Sequence, residues 1–253
     1  MAGVEFASVS FTLPDSASGE PGRTLLHNIS LKLDAGTTTA LLGRSGSGKT
    51  TLLRMINGLV IPTSGDVLVE EKSVNKSEID SLRRSIGYVI QETGLFPHMT
   101  VERNAGIALE LAGCPKPEIA SRAAEVLELA GLNFAEFRSR YPWQLSGGQR
   151  QRVGLARALA LDPPVLLMDE PFGALDPMTR AEMQTMLRDL LARVNKTVLL
   201  VTHDLDEALY LAQRVIFIEH GQVVADLSSV HVLSSENPQV IDYVSAVHRA
   251  ISA

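Results

Sequence analysis

Eight residues, Gly43-Arg-Ser-Gly-Ser-Gly-Lys-Thr50, join the short apolar run 39–42 to a helical period that begins at Gly48. Glycines at the first, fourth and sixth positions let the backbone curl, so that successive amides point inward beside the positive end of the helix. This is the P-loop pattern GxxxxGK[ST] in the context that its mechanism requires, between a strand and a helix. A coincidental glycine-rich turn is the alternative, and the flanking elements argue against it.

The side chains of this loop are suited to binding a nucleoside triphosphate. Lys49 is expected to reach the β and γ phosphates as a point charge, and the Thr50 hydroxyl is expected to ligate Mg²⁺. The predicted nucleotide-binding residues of the loop are Gly43, Arg44, Ser45, Gly46, Ser47, Gly48, Lys49, Thr50 and Thr51.

Short apolar runs alternate with longer helical periods along most of the chain, which is typical of a parallel sheet covered by helices. Such strands are buried on both faces and are therefore continuously apolar. The predicted strands are 39–42, 165–168, 198–201 and 215–218, and the predicted helices are 48–59, 118–130, 149–161, 180–193, 205–213 and 238–251. The opening residues instead predict an antiparallel hairpin, with strands in 4–13 and 25–33 and a long turn-rich connection over 14–22.

Between about Glu92 and Gly148 the strand signals stop and helical patterns dominate, which indicates a helical insertion. We therefore predict one domain of the α/β class, a P-loop NTPase core with a mostly parallel sheet, an N-terminal antiparallel β-subdomain and an inserted α-helical subdomain. The core with its β-subdomain comprises residues 1–91 and 149–226, the helical subdomain 92–148, and a short helical tail 227–253.

Composition narrows the class of protein. With 45% hydrophobic and 21% charged residues among 253, the chain is expected to bury a core without disulfides, and the single Cys114 permits neither a disulfide framework nor a zinc cluster. A net charge of −6 argues against a broad nucleic-acid footprint. No apolar run approaches the length of a membrane span, and the N-terminus lacks the pattern of a signal peptide, so the expected compartment is the cytoplasm.

A second element supports the P-loop. The apolar run Val165-Leu-Leu-Met ends in two carboxylates, Asp169 and Glu170. An Asp in this position holds the Mg²⁺ of P-loop sites, and the adjacent Glu170 can orient or deprotonate an attacking water. Acidic residues at a strand end are often only solvated turn residues. The P-loop upstream favours the catalytic interpretation, and with it hydrolysis rather than binding alone.

Leu145-Ser-Gly-Gly-Gln149 forms a glycine-rich turn directly before a second helical period, so the chain holds two helix N-termini suited to anions. Together with the P-loop and the carboxylate strand, LSGGQ resembles the signature motif of ATP-binding-cassette (ABC) ATPases, and the resemblance covers nearly the whole chain. Three further landmarks appear in order. Gln91 at the end of the strand IGYVIQ is similar to the Q-loop glutamine, Asp176 in Ala-Leu-Asp to the D-loop, and His203 at the end of the strand TVLLVTH to the switch histidine.

The resemblance implies an ATPase that uses ATP and Mg²⁺ and closes as a head-to-tail dimer, most simply a homodimer, on two nucleotides. It assigns polarisation of the water to Glu170, γ-phosphate sensing to Gln91 and His203, and a link between the two sites to Asp176. The residues facing the γ-phosphate bound by Lys49 of the other subunit would be Ser146, Gly147, Gly148 and Gln149. The magnesium contacts would be Thr50, Gln91 and Asp169.

One position departs from the family pattern. An aromatic residue near the end of the first strand stacks on adenine in the family, and Leu13 stands at that position here. The adenine contact is therefore expected to be weaker or less selective, unless Phe11, two residues earlier on the same strand face, replaces it.

Length separates the branches of the family. Only one compact cassette is present, without the long coiled coil of chromosome and repair members or the second cassette of translation members. The chain looks like the separate ATPase subunit of a bacterial importer, bound peripherally to the inner face of the cell membrane through transmembrane permease subunits, with a substrate-binding protein in the full complex and no nucleic acid. Leu95, Phe96, Pro97 and Met99 would form the permease-facing surface, or else local core. A P-loop kinase is disfavoured because it would have no use for LSGGQ.

The runs 86–100 and 162–180 look most like the osmoprotectant group, which imports glycine betaine, choline or related quaternary amines. An importer of another small solute or a lipid, and a non-transport cassette ATPase, are the alternatives.

Overall fold

The structure is a computed structural model, and it describes residues 3–13, 22–91 and 93–248. Its strands are β1 Val4–Thr12, β2 Thr24–Leu33, β3 Thr38–Leu42, β4 Ser64–Val69, β5 Lys72–Ser73, β6 Ile86–Val89, β7 Val165–Asp169, β8 Thr197–Thr202, β9 Arg214–Glu219 and β10 Gln222–Ser228. Its α-helices are α1 Lys49–Ile56, α2 Ile79–Arg84, α3 Val101–Leu111, α4 Lys116–Leu129, α5 Phe134–Phe137, α6 Gly147–Leu159, α7 Pro177–Val194, α8 Leu205–Leu211 and α9 Pro238–His248. None of these helices is both long enough and apolar enough to span a membrane.

The chain divides into two compact units, and the first comprises Met1–Ile79 and Thr197–Ala253. In this unit β3 pairs in parallel with β8 on one side and with β9 on the other, and β10 pairs antiparallel to β9. Every residue of β3 and β8 is buried, as expected of parallel strands covered on both faces. The P-loop begins directly after β3, at the carboxyl ends of the parallel strands.

An antiparallel sheet in the order β2-β1-β4-β5 completes the first unit. The predicted hairpin of β1 and β2 is confirmed, whereas residues 14–21 of its predicted connection lie outside the described residues. The strands β4, β5 and β10 were not predicted from the sequence. β10 has no fully buried residue, and β4 is half polar, so neither shows the continuous apolar pattern of a central strand.

The second unit is Asp80–Lys196. Here β6 and β7 pair in parallel, and α6 packs on β6 and on α3 and α4. The described residues between 93 and 148 hold helices and no strand, as predicted. The α/β class with a mostly parallel sheet, an antiparallel N-terminal sheet and a helical insertion is thus confirmed, while the proposed domain boundaries stay a prediction.

Helix ends differ from the predicted ones where a cap was overlooked. The helix α6 begins at Gly147 rather than at 149, because the Ser146 side chain accepts a hydrogen bond from the Gln149 amide. Likewise α7 begins at Pro177 rather than at 180, since Asp176 caps it and proline is favoured at the first helical position. The strands IGYVIQ and TVLLVTH are also shorter than expected, so that Gln91 and His203 lie in the turns that follow β6 and β8.

Candidate functional site

The P-loop connects the last residue of β3 to the first turn of α1. Its middle, Arg44 to Gly46, is exposed, while Ser47, Gly48 and Lys49 are buried. Gly48 caps α1 with φ 101°, a left-handed conformation that favours glycine, and a Cβ there would also collide with the Leu26 side chain. The sequence therefore forms a narrow loop whose backbone opens onto the N-terminus of a helix.

Lys49 lies within this loop. Its ammonium donates hydrogen bonds to the carbonyls of Gly43 at 2.8 Å and Arg44 at 2.9 Å. The Ser47 hydroxyl is buried and makes no hydrogen bond within the described residues. A positive group, a helix N-terminus and an unsatisfied buried hydroxyl together fit a polyphosphate, which supplies negative charge and acceptor oxygens.

A cleft of about 510 Å³ adjoins the loop in the same unit. It is lined by Arg44 to Ser47, by Arg23 and the β2 residues Thr24, Leu25 and His27, and by residues 219–221 at the end of β9 and in the turn that follows. Leu13 lies just past the end of β1, 43% exposed, and its amide donates to the Arg23 carbonyl. Phe11 lies opposite Leu26, the residue that packs on Gly48. Of the two candidates for the adenine contact, Leu13 is therefore bonded to a residue that lines the cleft, and Phe11 is paired with a residue that lies against the P-loop.

The exposed His203 lies in the turn between β8 and α8 of the first unit. Asp204 fixes this turn at both ends, since its amide donates to the Thr202 hydroxyl at 3.0 Å and its carboxylate caps α8 at the Glu207 amide. The His203 carbonyl accepts a hydrogen bond from the Tyr243 hydroxyl at 2.7 Å. The predicted switch histidine is therefore held by its backbone, with an exposed side chain.

In the second unit, the predicted magnesium ligand Asp169 and the predicted catalytic residue Glu170 follow one another at the end of β7. Asp169 is 4% exposed and accepts a hydrogen bond from the Tyr88 hydroxyl at 3.4 Å. Glu170 has φ 45°, a left-handed conformation that is uncommon outside glycine, and its side chain accepts from Gln91 at 3.4 Å. The structure thus brings Gln91 and Glu170 together, as two groups predicted to act on the same phosphate would be.

The LSGGQ segment forms a capping box at the start of α6. The Ser146 hydroxyl accepts from the Gln149 amide at 3.2 Å, and the Gln149 side chain accepts from the Ser146 amide at 2.9 Å. Gly148 is buried, and a Cβ there would lie 2.6 Å from the Thr179 side chain. The free amides of this first turn are held in a defined, anion-seeking geometry.

Comparison with known proteins agrees with this site. The family model for the ABC transporter matches residues 26–173, more than half of the 253 residues. The chain belongs to the ABC transporter family. The match includes the P-loop, Gln91, LSGGQ and both carboxylates, while His203 and Asp176 lie beyond it.

Named relatives refine this likeness. The ABC protein is 45% identical over 216 residues to the osmoprotectant import ATP-binding protein OsmV of Salmonella typhimurium, covering 85% of this chain and 56% of the relative. It is 48% identical over 202 residues to the sulfate/thiosulfate import ATP-binding protein CysA of Brucella melitensis, covering 78% and 55%. The chain thus spans about half the length of these curated relatives. A solved dimeric post-hydrolysis structure of the ATP-binding cassette MJ0796 with ADP and Pi is 35% identical, with a TM-score of 0.78, covering 89% of this chain and 98% of that one.

The ABC fold also reveals residues that motif analysis missed, both on the helix α6 that follows LSGGQ. The buried Gln151 side chain donates to the Pro171 carbonyl, directly after Glu170. Arg157, whose pKa is lowered by burial, donates to the carbonyls of Thr93 and Gly94 at 2.7 and 2.6 Å, just after Gln91. The signature helix is therefore hydrogen-bonded to the two segments of this unit that carry catalytic candidates, the one after Gln91 and the one after Glu170. The sequence signal that could have identified Gln151 is a polar residue among the apolar positions of the buried face of α6.

Asp176 is exposed and caps α7, with its carboxylate accepting from the Thr179 amide at 3.1 Å. Hydrogen bonds from the Thr179 side chain and amide lower the pKa of Asp176 below its ordinary value. This depressed pKa means that the cap stabilises the fold above the unfolded-state pKa of about 3.9 and ceases to do so as the pH falls through the folded-state value.

Replacing Asp176 by alanine is therefore expected to lower the melting temperature at pH 7, because the orphan amides of α7 lose their acceptor. The difference from wild type should shrink as the pH falls below about 4. Asp176→Asn is the matched control, since asparagine keeps the cap but not the charge; it should recover most of the stability lost in Asp176→Ala at pH 7, and the difference between these two variants should not depend on the ionisation of residue 176. Thermal scans from pH 3 to 7 measure both effects, and a deficit for Asp176→Ala that does not change with pH would contradict the assignment.

The loop after Gln91 is exposed rather than part of the core. Phe96 is 41% exposed and Pro97 is also exposed, whereas Leu95 and Met99 are half-buried. The buried Asn104 of α3 shapes the loop by bonding the Phe96 amide and the carbonyls of Phe96, Met99 and Thr100. Of the two interpretations given by the sequence, an apolar surface on a fixed loop is the one this geometry favours.

Adenine recognition can be tested at the departure from the family pattern. Leu13→Tyr is expected to tighten ATP binding at least about five-fold, because a base–aromatic stack is worth about 1–3 kcal/mol. Phe11→Ala should weaken binding by a similar factor if Phe11 makes the contact. Titration calorimetry with ATP and with a pyrimidine triphosphate measures affinity and selectivity. Unchanged affinity in both variants would refute the importance of this position.

Proposed function

We propose that this chain is the ATP-binding and ATP-hydrolysing subunit that powers a membrane importer by ATP-driven dimer closure. One observation carries the proposal: a chain with a single P-loop presents two built helix N-termini, one at Lys49 and one at the capping box of Ser146 and Gln149. A P-loop enzyme that acts alone needs only the first. The second is explained when it faces the nucleotide of a second subunit, and the similar cassette MJ0796 is described as a dimer bound to ADP and Pi.

The residues at hand fit Mg²⁺ as the second cofactor. Magnesium is usually held by one or two carboxylates together with substrate phosphates and waters. The predicted donors are the buried carboxylate of Asp169 and the amide oxygen of Gln91 in the second unit, and the hydroxyl of Thr50 at the start of α1 in the first. A bound Mg²⁺ would neutralise charge on the β and γ phosphates. Glu170, oriented by Gln91, would polarise the attacking water.

We assign the permease as the partner of the exposed loop at Phe96 and Pro97, and the cytoplasmic face of the membrane as the location. Osmoprotectants such as glycine betaine or choline are the proposed cargo, supported by the likeness to OsmV and by the runs 86–100 and 162–180. An importer of another small solute is the second candidate, because the identity to a sulfate/thiosulfate import protein is equally high.

The test begins with release of phosphate from MgATP by the purified chain. Copurification of the intact complex follows, with its substrate-binding protein titrated against glycine betaine, choline and sulfate. Saturable binding of a quaternary amine is expected. Preferential binding of sulfate would favour the second candidate, and a partner without transmembrane segments would favour a non-transport cassette.

A further inference from the structure

The C-terminal helix α9 contacts the turn that holds His203. The Tyr243 hydroxyl of α9 donates to the His203 carbonyl at 2.7 Å, a bond between residues 40 positions apart in the chain. A carbonyl can accept from any donor, so this contact fixes the backbone of the turn independently of the histidine side chain. Because the imidazole is attached to that backbone, the position of the turn determines where the exposed side chain of His203 can reach.

The Tyr243 ring is itself held in place by the core of the first unit. It packs edge-on against Phe217 of β9, with ring centroids 5.7 Å apart and planes at 78°. One turn earlier on α9, Val240 is fully buried in the cluster that also contains Leu42 and Leu205. Leu42 is the residue before the P-loop and Leu205 the first residue of α8. The hydroxyl is therefore presented by a rigid element.

The same face of α9 adjoins the start of the P-loop. A small cavity of about 70 Å³ is lined by Gly43 and Arg44 of the P-loop, by Phe217 of β9 and by Gln239, Asp242 and Tyr243 of α9, among others. One helix thus borders both nucleotide-related segments of the first unit. Asp204 anchors the His203 turn to β8 and α8, and the Tyr243 hydroxyl ties the same turn to α9.

We propose that Tyr243 is a positioning residue for the hydrolysis reaction, holding the His203 turn so that the imidazole is aimed at the γ-phosphate of bound ATP. The inference rests on the proposed function, because it assigns Tyr243 a part in that same reaction. His203 acts when charge develops in the transition state, so a misaligned turn lowers kcat and leaves ATP binding intact.

Tyr243→Phe is the decisive variant, because it deletes the hydroxyl and keeps the ring on Phe217. We expect kcat for MgATP hydrolysis to fall about five-fold, the factor for one lost hydrogen bond, with KM within about two-fold of wild type. In a His203→Ala background the same substitution should have no further effect, since residues that act as a unit are not additive. Single-turnover phosphate release resolves the slow variants.

Tyr210→Phe on α8 is the matched control, and both tyrosine variants should melt within a few degrees of the wild type, as expected for the loss of one hydrogen bond. An unchanged kcat in Tyr243→Phe, or an equal loss in the His203→Ala background, would overturn the positioning role while leaving the ATPase in place. A fall in kcat that occurs only when His203 is present, and not in the His203→Ala background, supports the positioning role. Absence of MgATP hydrolysis by the wild type would overturn the proposed function itself.

Discussion

Lys49→Ala is expected to weaken MgATP binding about ten- to hundred-fold, because a charge-assisted hydrogen bond from the ammonium to a phosphate contributes about 1.5–3 kcal/mol. ATP-dependent dimerisation should be lost with it. The ammonium is already aligned by the Gly43 and Arg44 carbonyls, so little ordering opposes its contact with phosphate. Titration calorimetry gives the affinity, and light scattering at saturating MgATP gives the oligomeric state.

Lys116→Ala at the exposed start of α4 is the matched control, as it removes the same charge from a site far along the chain from the P-loop. It should bind MgATP as the wild type does. Affinity for MgATP within a few-fold of wild type in Lys49→Ala would contradict the phosphate role of the lysine, and with it the interpretation of the loop.

The central strands β3, β7 and β8 could be predicted to within one residue at each end. All of their residues are buried, and strands buried on both faces have a largely continuous apolar sequence. The edge strand β10 contains only exposed and half-buried positions, so it shows no continuous apolar run. Helix starts were misplaced where the deciding contact is a cap. Ser146 and Asp176 were assigned to the site, yet each also determines where a helix begins.

The site was predictable where residue type determines the chemistry. Lys49, Asp169 and Glu170 are identified by spacing alone, whereas the bonds that position them are not. Gln151 and Tyr243 both donate to backbone carbonyls, which every residue possesses, so no pattern in the partner's sequence reveals these contacts. The left-handed backbone conformation of Glu170, whose side chain accepts a hydrogen bond from Gln91, could not be predicted from the sequence either.

The free energy of closing the dimer connects the two helix N-termini to the effect expected of a variant that cannot hydrolyse ATP. Moving a two-state element from 1:99 to 99:1 requires about 5.5 kcal/mol of differential binding. Two nucleotides, each held between a P-loop and the capping box of another subunit, could supply this through charge-assisted hydrogen bonds that form only in the closed dimer. Hydrolysis removes those contacts, so a subunit that binds ATP but cannot hydrolyse it should accumulate closed.

Glu170→Gln is expected to produce that state. Glutamine has the shape of glutamate but cannot accept a proton from water, so hydrolysis should fall by about 10²–10⁴-fold, the range for loss of a general base. Light scattering should show a stable dimer at saturating MgATP that reverts to monomer when the nucleotide is removed. Glu182→Gln, the same change at an exposed position of α7, should hydrolyse ATP and dimerise as the wild type does.

The double variant Lys49→Ala with Glu170→Gln separates binding from chemistry. If ATP acts as the contact between subunits, this protein should stay monomeric, because removing the base cannot trap a nucleotide that is not bound. A Glu170→Gln protein that remains monomeric at saturating MgATP would contradict closure driven by ATP. If it binds ATP normally as a monomer, the second helix N-terminus at Ser146 would need another anion, and the capping box would no longer support a shared site.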